Sequence, residues 1–475
     1  MIRKIIRPLL LIVLPLAVLA QSVVFSPETR KYILYQTPVM ALKNANVIDG
    51  TGSPARSNQT VIIREGRIAE IGASEEIRIP EGAQLLDLAG KSLLPGWIML
   101  HEHLFYPAGG GQFNPQSTSF PRLYLAGGVT TIRTTGSIEP YTDLNIKKAI
   151  EAGRIPGPKM DVSSPYLNGP GLTLLQMKAL QGPEDARRMV AYWDSEGVDS
   201  FKVYQQISQA ELKAVIEEAH KRGKKVTGHL GAVTYREAAD LGIDNLEHGF
   251  FASTDFVSNK IKDKSPSSRA LRDSLQKLDP DGSEVKSLIQ HLIEKGVALT
   301  STLPVFETMT PGRPPAPNAA LDALLPETRD LYLRNWARIA NNPGSEWSDL
   351  FKKGMKLEKM FFDAGGLLIV GTDPTGYGGV IAGYSNSRAI ELLVEAGLSP
   401  LEAIQVATRN GARYLEIDHQ VGTIEVGKIA DLVVVNGNPA SNIQDIRNIA
   451  IVFKDGIGYD PEKLLASVKG AVGLR

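Results

Sequence analysis

The 475-residue sequence contains no cysteine, which excludes disulfide scaffolds, thiol nucleophiles, iron–sulfur clusters and cysteine-based zinc sites together. It has no excess of either charge. The 52 Lys and Arg match 52 Asp and Glu, so the chain lacks an electrostatic footprint for a phosphate backbone, and nucleic acid is not an expected partner. Several catalytic signatures are also missing: the phosphate-cradling Gly-x-x-x-x-Gly-Lys-Ser/Thr, the Gly-x-Ser-x-Gly elbow, His-Glu-x-x-His and the dinucleotide turn Gly-x-Gly-x-x-Gly. Histidine is scarce at seven, which makes the position of each one informative. A 43% hydrophobic and 22% charged composition is that of a globular chain able to bury a core without crosslinks.

Long apolar runs are confined to the start. Arg3, Lys4 and Arg7 precede an almost wholly apolar stretch over 8–17, and Val18-Leu19-Ala20 before Gln21 has the small-residue pattern of a cleavage site. Residues 1–20 therefore read as a signal peptide, with an exported, periplasmic or extracellular location expected. The alternative is an uncleaved membrane anchor, because 8–25 is nearly long enough to span a bilayer. Gln21 and Ser22 interrupt that stretch, and Pro15 disfavours a straight helix. Residues 21–38 then form a linker.

From 39 to 94, short β-branched runs alternate with turn signals such as Asp49-Gly50 and Glu65-Gly66, the pattern of a small antiparallel β module. A matching set fills 416–460, ahead of a C-terminal tail at 461–475. The two segments are expected to complete one β-sandwich around an inserted domain. That domain, 95–415, alternates buried-strand candidates (97–104, 129–135, 159–163, 200–204, 225–230, 245–250, 298–303 and 367–373) with helical stretches such as 208–222, 283–295 and 387–396. Eight such strands suit an α/β fold of the (β/α)8 TIM-barrel type.

In Pro95-Gly96-Trp97-Ile98-Met99-Leu100-His101-Glu102-His103, two histidines stand two apart, which on a strand points both the same way. Alternation in Ser200-Phe201-Lys202-Val203-Tyr204 turns Lys202 into the barrel if Phe201 and Val203 pack on helices, and an unpaired ammonium there would be costly. His229, His248 and Asp373 each close an apolar run at a strand's C-terminal end, the face on which barrel enzymes carry their sites. His220 and His291 fall in helical stretches and His419 in a polar turn, where surface or packing roles are expected.

On these motifs, together with Glu247-His248-Gly249, Gly371-Thr372-Asp373-Pro374 and Gly422-Thr423-Ile424-Glu425-Val426-Gly427-Lys428, the chain resembles the amidohydrolase superfamily, in the branch related to imidazolonepropionase. The resemblance spans about 42–460. It implies two divalent ions: His101, His103 and Asp373 on the first, His229 and His248 on the second, and a carboxylated Lys202 bridging them. A free lysine repels cations, whereas its carbamate is an anion with two oxygens, one for each ion of a pair about 3.5–4 Å apart. Zinc is the default for an imidazole-rich site. The implied chemistry is attack of a metal-bridging hydroxide on an amide carbonyl, with Asp373 as general base.

The expected function is hydrolysis of a C–N amide bond in a small substrate such as an N-acyl amino acid. The alternative is a secreted metallodipeptidase or carboxypeptidase of the Xaa-Pro dipeptidase type, and a remoter one is a non-catalytic binding or scaffold protein on the same fold. All six ligand positions are filled, which tells against the last. Met99 and Glu102 depart from the family pattern without removing a ligand. Two long loops, 105–122 and 304–347, follow strands one and seven and offer either a lid or a surface insertion or dimer contact, so a homo-oligomer is among the expected assemblies. Tyr166, Tyr204, Arg313 and Tyr377 are the candidates to meet a substrate carboxylate.

Overall fold

Eight short parallel strands alternate with helices along the middle of the chain in this computed structural model, which describes residues 23–109, 112–171 and 176–473. The signal peptide expected at 1–20 lies outside the described residues. None of the described helices is long and apolar enough to cross a membrane.

The barrel strands are β1 (Trp97–Met99), β2 (Val129–Arg133), β3 (Lys159–Asp161), β4 (Ser200–Val203), β5 (Lys225–Gly228), β6 (Asn245–Glu247), β7 (Ala298–Ser301) and β8 (Leu368–Val370). They pair in chain order as two parallel arcs, β1–β2–β3 and β4 through β8. A bridge between Ser163 and Ser200 joins the arcs on one side, and Leu100 N–H donates to Val370 O at 2.8 Å on the other. Side chains obey the two-residue period of a strand. Phe201, Val203, Val226, Leu246 and Leu299 join the large core shared with the helices. Ile98, Leu100, Ala298 and Ile369 face the other way and pack with Ala412, Tyr414 and Val421.

The helices begin where the sequence supplies their first hydrogen bonds. Ser208 with Glu211 and Thr234 with Glu237 form reciprocal capping boxes that start the helices Gln209–His220 and Tyr235–Leu241, directly after β4 and β5. Helix Ser283–Glu294 buries Val285, Leu288, Ile289 and Leu292, one apolar stripe at helical spacing.

Both chain ends build one nine-stranded sheet, in which Lys91–Pro95 pairs antiparallel with Leu432–Asn436. Its two faces serve different cores. Leu93, Leu432 and Val434 belong to a cluster internal to the sheet, while Leu94, Val433 and Val435 belong to the core of the barrel. The segment expected as a linker is structured within 23–38. It holds a helix, Pro27–Arg30, and a strand, Ile33–Tyr35, that pairs with Ile457–Tyr459, because Ile33 and Tyr35 supply an edge for that strand's free side.

Every barrel strand ends one to five residues before its expected end, and the residues beyond it bend. His248 and Asp373 have φ of 69° and 54°, a left-handed conformation that costs a non-glycine residue on the order of 1–3 kcal/mol. Gly371 lets β8 approach the site, since a Cβ there would fall 2.4 Å from the His101 amide nitrogen.

Glu358, on helix Trp347–Asp363, is fully buried against Gly249, and burial raises its carboxyl to about 8. The unfolded value is about 4.3. Its contribution to stability is therefore complete below that pH and declines as pH rises through about 8. We expect Glu358→Gln to flatten this component, so that the melting temperature falls less between pH 6 and 9 than in the parent protein. Equal pH slopes in the two proteins would contradict the assignment.

Candidate active site

The bends past β1 and β8 bring three side chains from two distant parts of the chain together. Ligand atoms of His101, His103 and Asp373 all lie within 4.8 Å of one another, and all three residues are buried. The two histidines converge although they follow β1 and do not lie in it. The sequence expectation of a strand pair is corrected to a turn whose outcome is the same, because Leu100 N–H bonds to β8 and Glu102 N–H to β2. The His248 ring sits 4.6 Å from that of His101, and the His229 ring 4.3 Å from that of His248. Lys202 is buried in the same interior, and its Nζ has no hydrogen-bond partner.

Protons are placed by the groups behind the histidines. His101 Nδ1–H donates to Glu247 Oε2 at 2.6 Å, and His103 Nδ1–H donates to the Gly136 carbonyl at 3.0 Å. In a neutral ring this leaves only a lone pair on each Nε2, and those nitrogens face Asp373 Oδ1 at 3.8 and 3.3 Å. Lone pairs opposed at that distance repel unless a cation lies between them. Imidazole nitrogens and a carboxylate oxygen are the donors a divalent metal takes, and a carboxylate behind a ligating histidine is its usual support. The residues therefore fit a metal site.

Burial lowers the pKa of His101 to about 4 and of His248 to about 3, and it holds His229 well below the usual imidazole range, with His248 and Lys202 adding to the effect. These rings are neutral near pH 7, the form that ligates. Burial brings the Lys202 ammonium down to about 8; Glu247 opposes the shift and Arg133 favours it. Burial works against a charge on Glu247, but His101, Lys202 and Arg133 hold its carboxyl well below the usual range.

Glu247 and Arg133 carry this arrangement; the sequence pointed to Glu247 only as part of the motif Glu247-His248-Gly249, and Arg133 was not singled out. Arg133 is fully buried, donates to Glu247 Oε1 at 2.8 Å and to Asn245 Oδ1 at 2.7 Å, and also binds the Leu100 carbonyl. Thr227 Oγ1 donates to the same Glu247 oxygen. The signal available was a charged residue inside an apolar strand, Val129-Thr130-Thr131-Ile132-Arg133. Glu102, the departure noted between the histidines, accepts from Thr372 Oγ1 at 2.6 Å and Asn386 Nδ2 at 2.9 Å, tying the turn after β1 to the turn after β8. The Tyr235 hydroxyl lies 2.8 Å from the Glu247 carbonyl and 3.0 Å from that of Gly249, bracketing the bend at His248.

A cavity of about 490 Å³ lies over the cluster. Tyr166 and Tyr204 line it, with rings 4.9 Å apart and no hydrogen-bond partner for either hydroxyl among the described residues. Burial raises both phenols, so each remains a donor. Tyr377 stands half-exposed at the rim, with Arg338 over its ring. Arg313 does not line this cavity. The expectation that it meets substrate is corrected: its guanidinium is held at 2.6 and 2.7 Å by Glu395 and at 2.6 Å by Glu307. The first long loop forms a hairpin, Phe105–Gly109 with Gln112–Pro115, that brings Phe105 and Phe113 to the cavity. The second begins with a helix, Leu303–Glu307, that brings Phe306 there. The other histidines have surface partners: His220 meets Asp244 at 2.9 Å, His291 meets Asp240 at 3.0 Å, and His419 bonds Gln420.

Fold and site together define a barrel protein that gathers His101, His103 and Asp373, a donor set suited to a metal ion, just beyond the C-terminal ends of its strands. Residues 92–457 match the model of the amidohydrolase family, and the chain belongs to that family. Among curated relatives, the enamidase of Eubacterium barkeri is 24% identical over 206 residues, covering 41% of this chain and 50% of that protein. The dihydroorotase of Anaeromyxobacter dehalogenans is 30% identical over 105 residues, 22% of this chain and 23% of its own length. The chain thus spans half or less of these relatives. The crystal structure of a "putative prolidase" from Bifidobacterium longum covers 90% of this chain and 98% of its own at 26% identity and a TM-score of 0.66. A Xaa-Pro dipeptidase structure with bound methionine shares the fold at 21% identity, a TM-score of 0.67, and coverage of 89% and 100%.

Glu247→Gln retains the shape but weakens the acceptor for His101 Nδ1–H and leaves Arg133 without its counter-charge. We expect divalent-metal affinity to fall about 10–100-fold. Equilibrium dialysis against a metal buffer, with circular dichroism to confirm the fold, checks this; unchanged affinity would remove Glu247 from the site.

Proposed function

We propose that this chain hydrolyses the C–N bond of a small amide at a pair of divalent ions, zinc by its donor set. His101, His103 and Asp373 would hold the first, His229 and His248 the second, and a carboxylated Lys202 would bridge them. The observation that carries the proposal is the Lys202 Nζ, buried without a partner among four imidazoles and a carboxylate. An ammonium in such a place is costly, and burial already brings it down to about 8. The neutral amine can add to CO₂, forming the N–C bond of a carbamate and releasing one proton. The product is an anion whose two oxygens suit two cations.

When bound, the ions supply Lewis acidity at the amide carbonyl and lower the pKa of water. The chain's own groups do the rest. Asp373, ionised at the mouth of the cluster, is placed to take a proton from the attacking water and return it to the leaving nitrogen. The Tyr166 and Tyr204 hydroxyls, free to donate, orient a carbonyl or carboxylate oxygen of the substrate. The proposed substrate is an N-acyl amino acid or a related small amide. A second reading, a peptidase acting on Xaa-Pro-type dipeptides, draws support from the likeness to the Bifidobacterium longum structure. The proposed location is exported, from the pattern of residues 1–20.

The chain as isolated with its metals is expected to hold two equivalents of divalent metal. Lys202→Ala should lose metal and about 100-fold or more of its hydrolysis of N-acyl amino acids, with partial rescue by short carboxylates. Chelation should abolish turnover, and zinc should restore it. Fewer than one equivalent, with activity intact in His248→Ala, would overturn the two-metal reading.

A further inference from the structure

The chamber beyond the metal cluster is walled largely by apolar and aromatic side chains, and it offers no free carboxylate. On the His248 side, Phe251 stacks on Phe306 at 3.9 Å between ring centroids, and Phe306 in turn faces Trp347 at 6.0 Å and His248 at 5.9 Å. On the His103 side, Phe105 stacks on the histidine ring at 4.3 Å and meets Phe113 at 5.2 Å. Two aromatic walls thus flank the position of a scissile bond. Among the described residues lining the cavity, Asp373 is the sole carboxylate, and it already faces His101 and His103. The lining cations are Lys202 and Arg272, the latter paired with Glu346.

We propose that the chamber selects amides acylated by a neutral, aromatic or branched apolar acid, and rejects free dipeptides that carry an α-ammonium beside the scissile carbonyl. This rests on the amide-hydrolase reading above and decides between its two substrates. An α-ammonium would stand beside the divalent ions with no free carboxylate lining the cavity to neutralise it, a like-charge contact in a site of reduced dielectric. An acyl chain without the amine leaves that space uncharged and lays its ring between Phe306 and Phe105, where offset or edge contacts stabilise it. A carboxylate on the amine side of the substrate is a group that the Tyr166 and Tyr204 hydroxyls are free to receive.

The test is a matched pair that differs only in the amine: N-(3-phenylpropanoyl)glycine and phenylalanylglycine, with N-acetylglycine as the small-acyl control, assayed on the metal-loaded protein. The acylated compound should exceed the dipeptide in kcat/KM by about 100-fold or more, the scale set by an unneutralised like charge near a cation pair. It should exceed N-acetylglycine by about tenfold or more from the buried ring. Phe306→Ala should raise KM for the aromatic substrate and remove most of its advantage over N-acetylglycine while the protein keeps its bound metal; Trp347→Ala serves if that variant fails to fold. Equal or better cleavage of phenylalanylglycine, or no gain over N-acetylglycine, overturns the proposal.

A binding arm separates failure of the hydrolase reading from failure of this one. Calorimetric titration with 3-phenylpropanamide and phenylalaninamide reads the preference without turnover. If nothing is hydrolysed but the neutral amide still binds more tightly, and loses that advantage in Phe306→Ala, the chamber assignment stands and the hydrolase reading falls. If both amides bind alike, the chamber assignment falls.

Discussion

The buried pair of Arg133 and Glu247 is the contact on which the rest of the site depends. Both side chains are fully removed from solvent, and either one alone would be an uncompensated charge in the barrel interior. Arg133 donates to Glu247, Asn245 and the Leu100 carbonyl, and Glu247 also accepts from Thr227 and His101. The pair does more than cancel charge. By fixing a carboxylate behind His101, it dictates which ring nitrogen carries the proton and so which nitrogen faces the cluster. A tautomer is chosen several ångströms from the atom that uses it.

The strand ends show how the barrel exchanges regularity for convergence. A ladder continued through His248 and Asp373 would send alternate side chains outward, into the helices. Both residues instead adopt a positive φ, and that strain is held by contacts around them: the Tyr235 hydroxyl spanning the carbonyls on either side of His248, and Glu102 gripping Thr372 beside Asp373. Glycine appears where two chains must touch, as at Gly371 against His101. The short strands are the consequence, and the ligand cluster is what the bends produce.

Above the cluster, the two insertions convert a metal site into a chamber. The hairpin after β1 and the helix after β7 contribute Phe105, Phe113 and Phe306, and Trp347 comes from the start of the later helix Trp347–Asp363. Arg313, which looked like an anion binder, is spent on a network with Glu307, Glu395 and, through them, Arg388. That network sits on the far side of the same short helix that presents Phe306, Leu303–Glu307, and anchors it. The charge expected to meet a substrate is thus held on the helix that forms one wall of the cavity.

Much of this was legible in the linear chain. The alternation of Phe201 and Val203 against Lys202, and the placement of four histidines and Asp373 beyond apolar runs, follow from local periodicity, because a strand's two faces and its end are set by neighbours in sequence. The strand boundaries were read too long because nothing local announces a left-handed bend at His248 or Asp373. The roles of Arg133 and Glu247, the proton position on His101 and the ion pairs that remove Arg313 were invisible for a different reason. Apart from Arg313 with Glu307, six positions apart, each joins residues tens to more than a hundred positions apart, and a buried charge reveals its partner only once the elements that carry the two are side by side. By itself the sequence determined that a barrel of alternating strands and helices would offer imidazole, lysine and carboxylate at its strand ends. Tertiary structure alone decided which lone pairs meet, because tautomer, burial and opposition of charge are properties of neighbours in space.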